Sequence, residues 1–417
     1  MTDDEATRAA GLDPAVGVAV RAAYESEWAR VVANLIRVTG DWDVAEEAAA
    51  GAFEKAVLTW PRDGVPRSPG GWLTTTARNL ALDRLRRRGV EGEKLREWAA
   101  MEDVRGPADP AVADVEWDDR LRLIFTCAHP ALPLEARVAL TLRVVGGLST
   151  GEVARAFFVS ESTMAQRIVR AKAKIAHAAI PYRVPTPEAL PERLDGVLAV
   201  LYRIHTEGYT ATSGESLQRL DLAAEAIRLT RLVCELLPGA EPAALLALML
   251  LQHARSSARV DAAGDLVPLE QQDRSAWDGA EIAEGLSLLE AWPSGERSPY
   301  RVQAEIQAIH VRAGRAEDTD WWAILARYAE LPESPFVELN RAIARGLADE
   351  PEAGLAALAR LDASGRLAGH HLLPAARADL SRRAGRLDEA AAHYRAAIAL
   401  APTEPERRYL VRRLGEL

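Results

Sequence analysis

The sequence predicts an all-α protein. Three observations carry that reading. Alanine, leucine, arginine and glutamate, all strong helix formers, dominate the 417 residues. Apolar residues recur at spacings of three and four, as on the buried stripe of a helix. Long alternating runs of β-branched or aromatic residues are absent, and proline and glycine clusters mark off helix-sized stretches. With 48% apolar residues the chain can bury cores for two to four domains.

Four sections follow in order. Residues 15–89 read as a first helical unit. Residues 90–115 read as a charged linker, broken by Gly106-Pro107 and Asp109-Pro110. Residues 116–182 read as a second, short helical unit. After the proline-rich break Val184–Pro191, helices are expected through residues 188–417.

In the first unit, Asp41-Trp42-Asp43-Val44-Ala45-Glu46-Glu47-Ala48 reads as an acidic helix start, with Gly51, Phe53 and Trp60 following. Asp43 suits its cap, and Glu46 and Glu47 suit the positive helix N-terminus. Capping alone would account for all three. Pro61 to Pro69 then reads as a rigid loop containing Arg62, Asp63 and Gly64. It delivers polar groups beside the helix Trp72–Arg88, whose inward stripe is expected from Trp72, Thr76, Leu80, Leu82 and Leu85. That helix carries Arg78, Arg84, Arg86, Arg87 and Arg88 against Asp83 alone, and its Asn79 can hydrogen-bond a base edge. A solvated arginine-rich helix end would look the same.

In the second unit, Leu148 to Lys172 fits a helix-turn-helix. Ser149 with Glu152 makes a capping box, and Ser160 with Thr163 opens the second helix. Met164, Ile168, Ala171 and Ile175 fall on one face of it. Ser162 and Thr163 stand at its start, and Thr163, Gln166, Arg167, Arg170 and Lys174 occupy the other face. Small polar residues first and cations further along suit a major groove. An amphipathic hairpin with a solvated cationic face is the plainer alternative. Phe158 stands where such turns often place glycine.

A net charge of −10 would ordinarily argue against nucleic acid, but its distribution decides. Residues 1–185 hold 25 basic and 26 acidic side chains, the rest 26 and 35. Both basic stripes lie in the nearly neutral front part.

Together these motifs resemble the extracytoplasmic-function group of sigma-70-type factors, over about residues 15–182. The resemblance implies a bacterial factor that directs core RNA polymerase to specific promoters and aids their opening. Its front domain would bind the polymerase and the minus-ten element, and its rear domain the minus-thirty-five element. By the same resemblance Asp43, Glu46, Glu47 and Phe53 would contact the β′ clamp helices, with the β flap as a further core partner. Asn79 and the loop Arg62–Pro66 would receive a flipped-out minus-ten base. Arg78, Arg84, Arg86, Arg87 and Arg88 would hold the strand backbone. Ser162, Thr163, Gln166, Arg167, Arg170 and Lys174 would read the minus-thirty-five groove. Ala50 stands where the group often has glutamine. The competing reading is a helix-turn-helix regulator that acts on duplex DNA without polymerase.

The tail contains one stretch, residues 377–402, with the spacing of a tetratricopeptide repeat: Ala378, Gly385, Ala390, Tyr394, Ala397 and Pro402. Its motifs, among them Thr206–Tyr209, Leu269–Trp277 and Asp318–Trp321, resemble the extension of one sigma subgroup, which implies a regulatory role and an unidentified signalling protein or ligand. Glu207, His253, Asp273, Arg274, His310 and Asp320 form no catalytic signature and read as polar ties between helices. Trp277, Trp292, Trp321 and Trp322 read as core. His370-His371, being adjacent, are expected to diverge. No enzyme activity, cofactor or metal is expected.

The two cysteines, Cys127 and Cys234, lack paired spacing and read as buried hydrophobes of a reducing cytoplasm. Met1 to Ala10 lacks a signal-peptide core. The longest apolar run, Ala243–Leu251, is too short for a membrane and suits a buried helix. A cytoplasmic protein with no membrane partner is expected.

Overall fold

The computed structural model describes residues 14–87, 118–157, 159–209, 218–261, 264–292, 298–348 and 351–417. Met1–Ala10, Arg88, the linker 90–115 and Phe158 lie outside the described residues. Among the described residues the regular elements are all helices, with one isolated bridge between Val260 and Leu266. The chain divides into two compact units, Met1–Val200 and Leu201–Leu417.

The first unit begins with α1 (Pro14–Thr39), α2 (Trp42–Asp63) and α3 (Pro69–Arg87), packed on one another. Val31, Val32, Ala33 and Leu35 of α1 meet a nearly all-alanine face of α2, Ala45, Ala48, Ala49, Ala52 and Ala56, all fully buried. Alanine keeps helix propensity high and lets helix backbones approach closely. The cap of α2 is Asp41, not Asp43: its carboxylate accepts from the N–H groups of Asp43 and Val44. Asp43 thereby sits in the first turn, where the helix dipole still favours a negative charge.

Two further expectations need correction. The rigid loop begins later, since α2 runs through Pro61 to Asp63 and ends at Gly64, whose φ of 83° requires glycine. The inward stripe of α3 is Leu73, Ala77 and Ala81, all fully buried, while Trp72, Thr76, Leu80, Leu82 and Leu85 are half-buried beside it. The small side chains carry the closest contact, and the larger ones pack around its margin.

The second helical group comprises α4 (Asp119–Cys127), α5 (Leu134–Leu140), a π turn (Thr141–Val145), α6 (Thr150–Ala156) and α7 (Glu161–His177). The capping box of Ser149 and Glu152 forms in full. Ser160 caps α7 by accepting from the Thr163 N–H at 3.2 Å. Met164, Ile168, Ala171 and Ile175 are the buried stripe of α7. Cys127 is buried. Burial raises its thiol, and the nearby charge of Glu46 raises it further, so it stays protonated.

Helix α8 (Leu190–Tyr209) leads into the second unit, followed by α9 (Leu220–Leu236) and α10 (Ala240–His253). Next come α11 (Gly279–Ala291), α12 (Pro299–Arg312), α13 (Trp321–Tyr328), α14 (Pro335–Leu347) and α15 (Pro351–Ala363). The last three are α16 (Leu372–Arg383), α17 (Leu387–Leu400) and α18 (Glu404–Gly415). Neighbours in sequence pack as neighbours in space. The apolar run Ala243–Leu251 is the buried heart of α10. α16 and α17 form a hairpin about Gly385 (φ 75°), and Ala378, Ala390, Tyr394 and Ala397 share one core with Leu410.

Of the polar residues of the tail, Arg274 and His253 tie separate elements together, whereas Glu207, Asp273 and Asp320 act within or at the start of their own helices. Arg274 donates to the carbonyls of His310 and Ala313 at 2.6 and 2.7 Å, satisfying the end of α12. Its guanidinium also lies 4.7 Å from the Trp277 ring centre. His253 meets Glu281 at 2.9 Å, and Glu207 meets Arg203 at 3.7 Å. Asp273 and Asp320 cap short helices. Of the four tryptophans, Trp277 is buried, whereas Trp292 and Trp322 are exposed. The His370 and His371 rings stack at 5.2 Å instead of diverging, because they precede α16 rather than lie within it.

Candidate nucleic-acid interface

On α3 the side chain of Asn79 is exposed, as are Arg86 and Arg87, while Arg78 is half-buried. Arg87 donates to the Asp83 carbonyl at 3.2 Å, and Arg86 lies 3.7 Å from the Asp83 carboxylate. Arg84 departs from the picture of a free backbone clamp: it pairs with Glu47 at 3.1 Å, joining α3 to α2. At the end of α2, exposed Arg62 and Asp63 form a two-point pair of 2.7 and 3.0 Å. That hydrogen bond lowers the Asp63 carboxyl below its ordinary range.

On α7 the exposed line is Thr163, Gln166, Arg170 and Lys174, one helical face opposite the buried stripe. The hydroxyls of Ser162 and Thr163 lie 3.0 and 2.8 Å from that of Ser160. Arg170 reaches the Gln166 carbonyl at 3.3 Å. Arg167 is drawn aside: its guanidinium lies 5.4 Å from the Phe157 ring centre and 3.3 Å from Glu135. A cationic, polar helix face with a serine-rich start is what groove entry requires.

The acidic start of α2 is engaged by the second helical group. Lys172 of α7 lies 2.8 Å from Asp43 and 2.5 Å from Glu46. Arg143 of the π turn adds a contact to Glu46 at 3.1 Å. Burial alone would lower the Lys172 ammonium, but the carboxylates of Glu46 and Asp43 outweigh it and hold it above its ordinary value. Glu46 and Phe53 are each only 5% exposed. Phe53 sits edge-on to Tyr24 at 4.9 Å and beside Trp28 at 6.1 Å.

Around this pair the contact continues. Tyr24 donates to the Gly147 carbonyl at 2.6 Å and Trp28 to the Val144 carbonyl at 3.0 Å. Tyr182 donates to the Ala33 carbonyl at 3.0 Å, and Arg37 meets Asp119 at 2.9 Å. Sequence reasoning missed all of these partners. The available signal was faint: Tyr24 and Trp28, four apart, form an aromatic patch larger than α1 needs.

Family models match the front of the chain twice, sigma-70 region 2 over residues 23–90 and sigma-70 region 4 over residues 122–175. The chain therefore belongs to the sigma-70 family and is an alternative sigma factor, which directs core RNA polymerase to specific promoters. Its tail matches a third family, DUF6596, of unknown function, over residues 193–292. An uncharacterized protein of Rhizobium meliloti (strain 1021) is 41% identical over 392 residues, covering 92% of either chain. The ECF RNA polymerase sigma factor SigE of Mycolicibacterium smegmatis is 32% identical over 148 residues, 35% of this chain and 56% of that protein. No solved structure matches. No helix among the described residues is long and apolar enough to cross a membrane.

Proposed function

We propose that the chain reads one promoter at two places. Asn79 and the turn beginning at Gly64 take up an extruded minus-ten base, while Arg78, Arg86 and Arg87 hold the strand. Unstacking a base costs a few kcal/mol, and a pocket for it recovers part of that cost while selecting sequence. Thr163, Gln166, Arg170 and Lys174 enter the minus-thirty-five major groove. Arg167 reaches it by leaving Glu135. The observation that carries this reading is the exposed Gln166–Arg170–Lys174 face standing opposite a complete buried stripe.

Asp43, Glu46, Glu47 and Phe53 remain our proposed contact to the β′ clamp helices, with the region 4 group meeting the β flap. In the free chain Glu46 is buried beneath Lys172 and Arg143, so docking there requires the two helical groups to part, while Phe53 is buried against Tyr24 and Trp28 of α1. The tail, with its tetratricopeptide-like hairpin, is read as a regulatory module. A truncation that keeps α8 but ends at Tyr209 should change transcription output, and unchanged output would remove that role.

The direct test is footprinting of candidate promoters with core polymerase and the purified chain. Protection at two patches about two helical turns apart, present only with both components, supports the reading. Protection by the chain alone would favour a regulator that needs no polymerase.

A further inference from the structure

Helix α7 ends in a turn that glycine usually makes. Ala179 stands there at φ 47°, a left-handed conformation harder for alanine than for glycine. The Ile180 N–H reaches back to the Ile175 carbonyl at 3.0 Å and closes the helix. Beyond this turn the chain stays on the first unit. Tyr182 donates to the Ala33 carbonyl of α1, and its ring stands edge-on to Trp42 at 6.4 Å. Trp42 opens α2, next to the Asp43 that Lys172 meets. Val184 is buried a little further on. Near the start of α8, Arg193 then donates at 2.6 Å to the Phe125 carbonyl, one of the last carbonyls of α4. Gly196 follows close by: a Cβ on it would stand 3.9 Å from the Ala128 carbonyl oxygen.

The connector between region 4 and the tail is thus anchored twice, by Tyr182 on region 2 and by Arg193 on region 4. Helix α8 then runs into the second unit, where Tyr202 donates to Gln303 at 3.1 Å. A rearrangement of the tail reaches region 4 along this stretch, since no other covalent route joins the two. Lys172 and Tyr182 lie on either side of the Ala179 turn, and both hold region 2.

We propose that residues 178–193 are a strap through which the tail governs whether region 4 lies against region 2. With Tyr182 seated, Lys172 and Arg143 cover Glu46. When the start of α8 is drawn off α4, Tyr182 leaves its seat, the groups part and Glu46 opens. The turn at Ala179 fits that role, because strained backbone persists where its surroundings hold it, and the seated ring supplies the hold. Two states that differ in these contacts are what a regulatory signal needs to bias. The inference rests on the regulatory reading of the tail and on the polymerase contact proposed for α2. Its first test uses no polymerase, so that the strap and that contact can fail separately.

The experiment is hydrogen-exchange mass spectrometry of the full chain. Tyr182→Ala should speed exchange at Val144–Gly147 about tenfold, and Tyr182→Phe, which keeps the ring, by a few-fold. Coupling between two sites is reciprocal, so exchange in α8 beyond Val200 should change as well. Ala179→Gly relieves the left-handed alanine and should slow exchange at Val144–Gly147 by roughly fivefold. Arg183→Ala, exposed beside the tyrosine, should leave all of these unchanged. Unchanged exchange at Val144–Gly147 in Tyr182→Ala, no change beyond Val200, or faster exchange in Ala179→Gly would overturn the proposal. So would acceleration spread equally to Leu73–Ala81 of α3, which would mean a general loss of stability. With core polymerase, Tyr182→Ala should bind about tenfold more tightly. Faster exchange with core affinity unchanged would uphold the strap and remove the polymerase contact proposed for α2.

Discussion

Lys172 of α7 and Glu46 of α2 form an ion pair of 2.5 Å whose side chains are 15% and 6% exposed. It joins the helix proposed to enter the promoter groove to the helix proposed to meet polymerase. Removing one partner of such a pair leaves a buried charge, although Arg143 still reaches Glu46 at 3.1 Å. Lys172→Ala should weaken the contact by about 2 kcal/mol, read as faster hydrogen exchange at the Val144–Gly147 amides. It should also raise affinity for core polymerase, since Glu46 becomes easier to expose. Unchanged exchange would mean that the aromatic contacts alone hold the groups together.

The same pair sets a pH dependence. The Lys172 ammonium is held above its ordinary value, so its contribution is complete below that value and is lost as pH rises through the raised one. Exchange at Val144–Gly147, corrected for intrinsic rate, should therefore accelerate above about pH 10.5 in the native chain and not in Lys172→Ala.

Gly147 adopts φ 79°, and a Cβ there would meet the Tyr24 ring at 2.9 Å and Trp28 at 3.0 Å. Gly147→Ala combines left-handed strain with overpacking, at a cost of roughly 2–4 kcal/mol. Chemical denaturation should show the loss. A change below about 0.5 kcal/mol, the range of an ordinary surface substitution, would place the aromatic contact elsewhere in solution.

On the DNA side, Arg170→Ala and Lys174→Ala should weaken promoter binding by holoenzyme and reduce its salt slope by about 0.9 for each phosphate no longer neutralised. Gln166→Ala should relax sequence preference at about one base pair, by roughly 1–3 kcal/mol. Asn79→Ala should spare minus-thirty-five protection but lower open-complex formation by about tenfold, as permanganate reactivity would report. Equal effects of all four changes on both steps would argue against separate roles.

How much of this is legible in the sequence depends on residue size and on distance along the chain. The caps of α6 and α7 and the buried stripe of α7 are readable because Met164, Ile168 and Ile175 are large and Ser149 and Ser160 have local partners. The stripe of α3 is not, because Ala77 and Ala81 carry the contact, and alanine reads as neutral filler. Lys172 reads as one more cation of the basic stripe, since nothing local points to Asp43, 129 residues away. Arg167 and Arg84 are engaged by protein carboxylates for the same reason: Glu135 and Glu47 are distant in sequence. Long-range pairing is what a helical pattern cannot show.

In the second unit, burial pushes His205 and His310 down to about 3, with neighbouring positive charge adding to it. Their neutral forms are favoured when folded, so the stability they contribute is full above about pH 6.5 and is lost as pH falls toward 3. Each should cost about 2 kcal/mol by pH 5. Denaturant melts at pH 7 and pH 5 should show this, with a shallower pH dependence in His205→Gln.

Run-off transcription with purified core polymerase tests the two-site reading most directly. Core supplied with this chain should produce a discrete transcript from its promoter, absent with core alone and sharply reduced by Asn79→Ala or Arg170→Ala. If the chain never brings core to a start site that core ignores unaided, across promoters drawn from its own genome, the two-site reading is wrong.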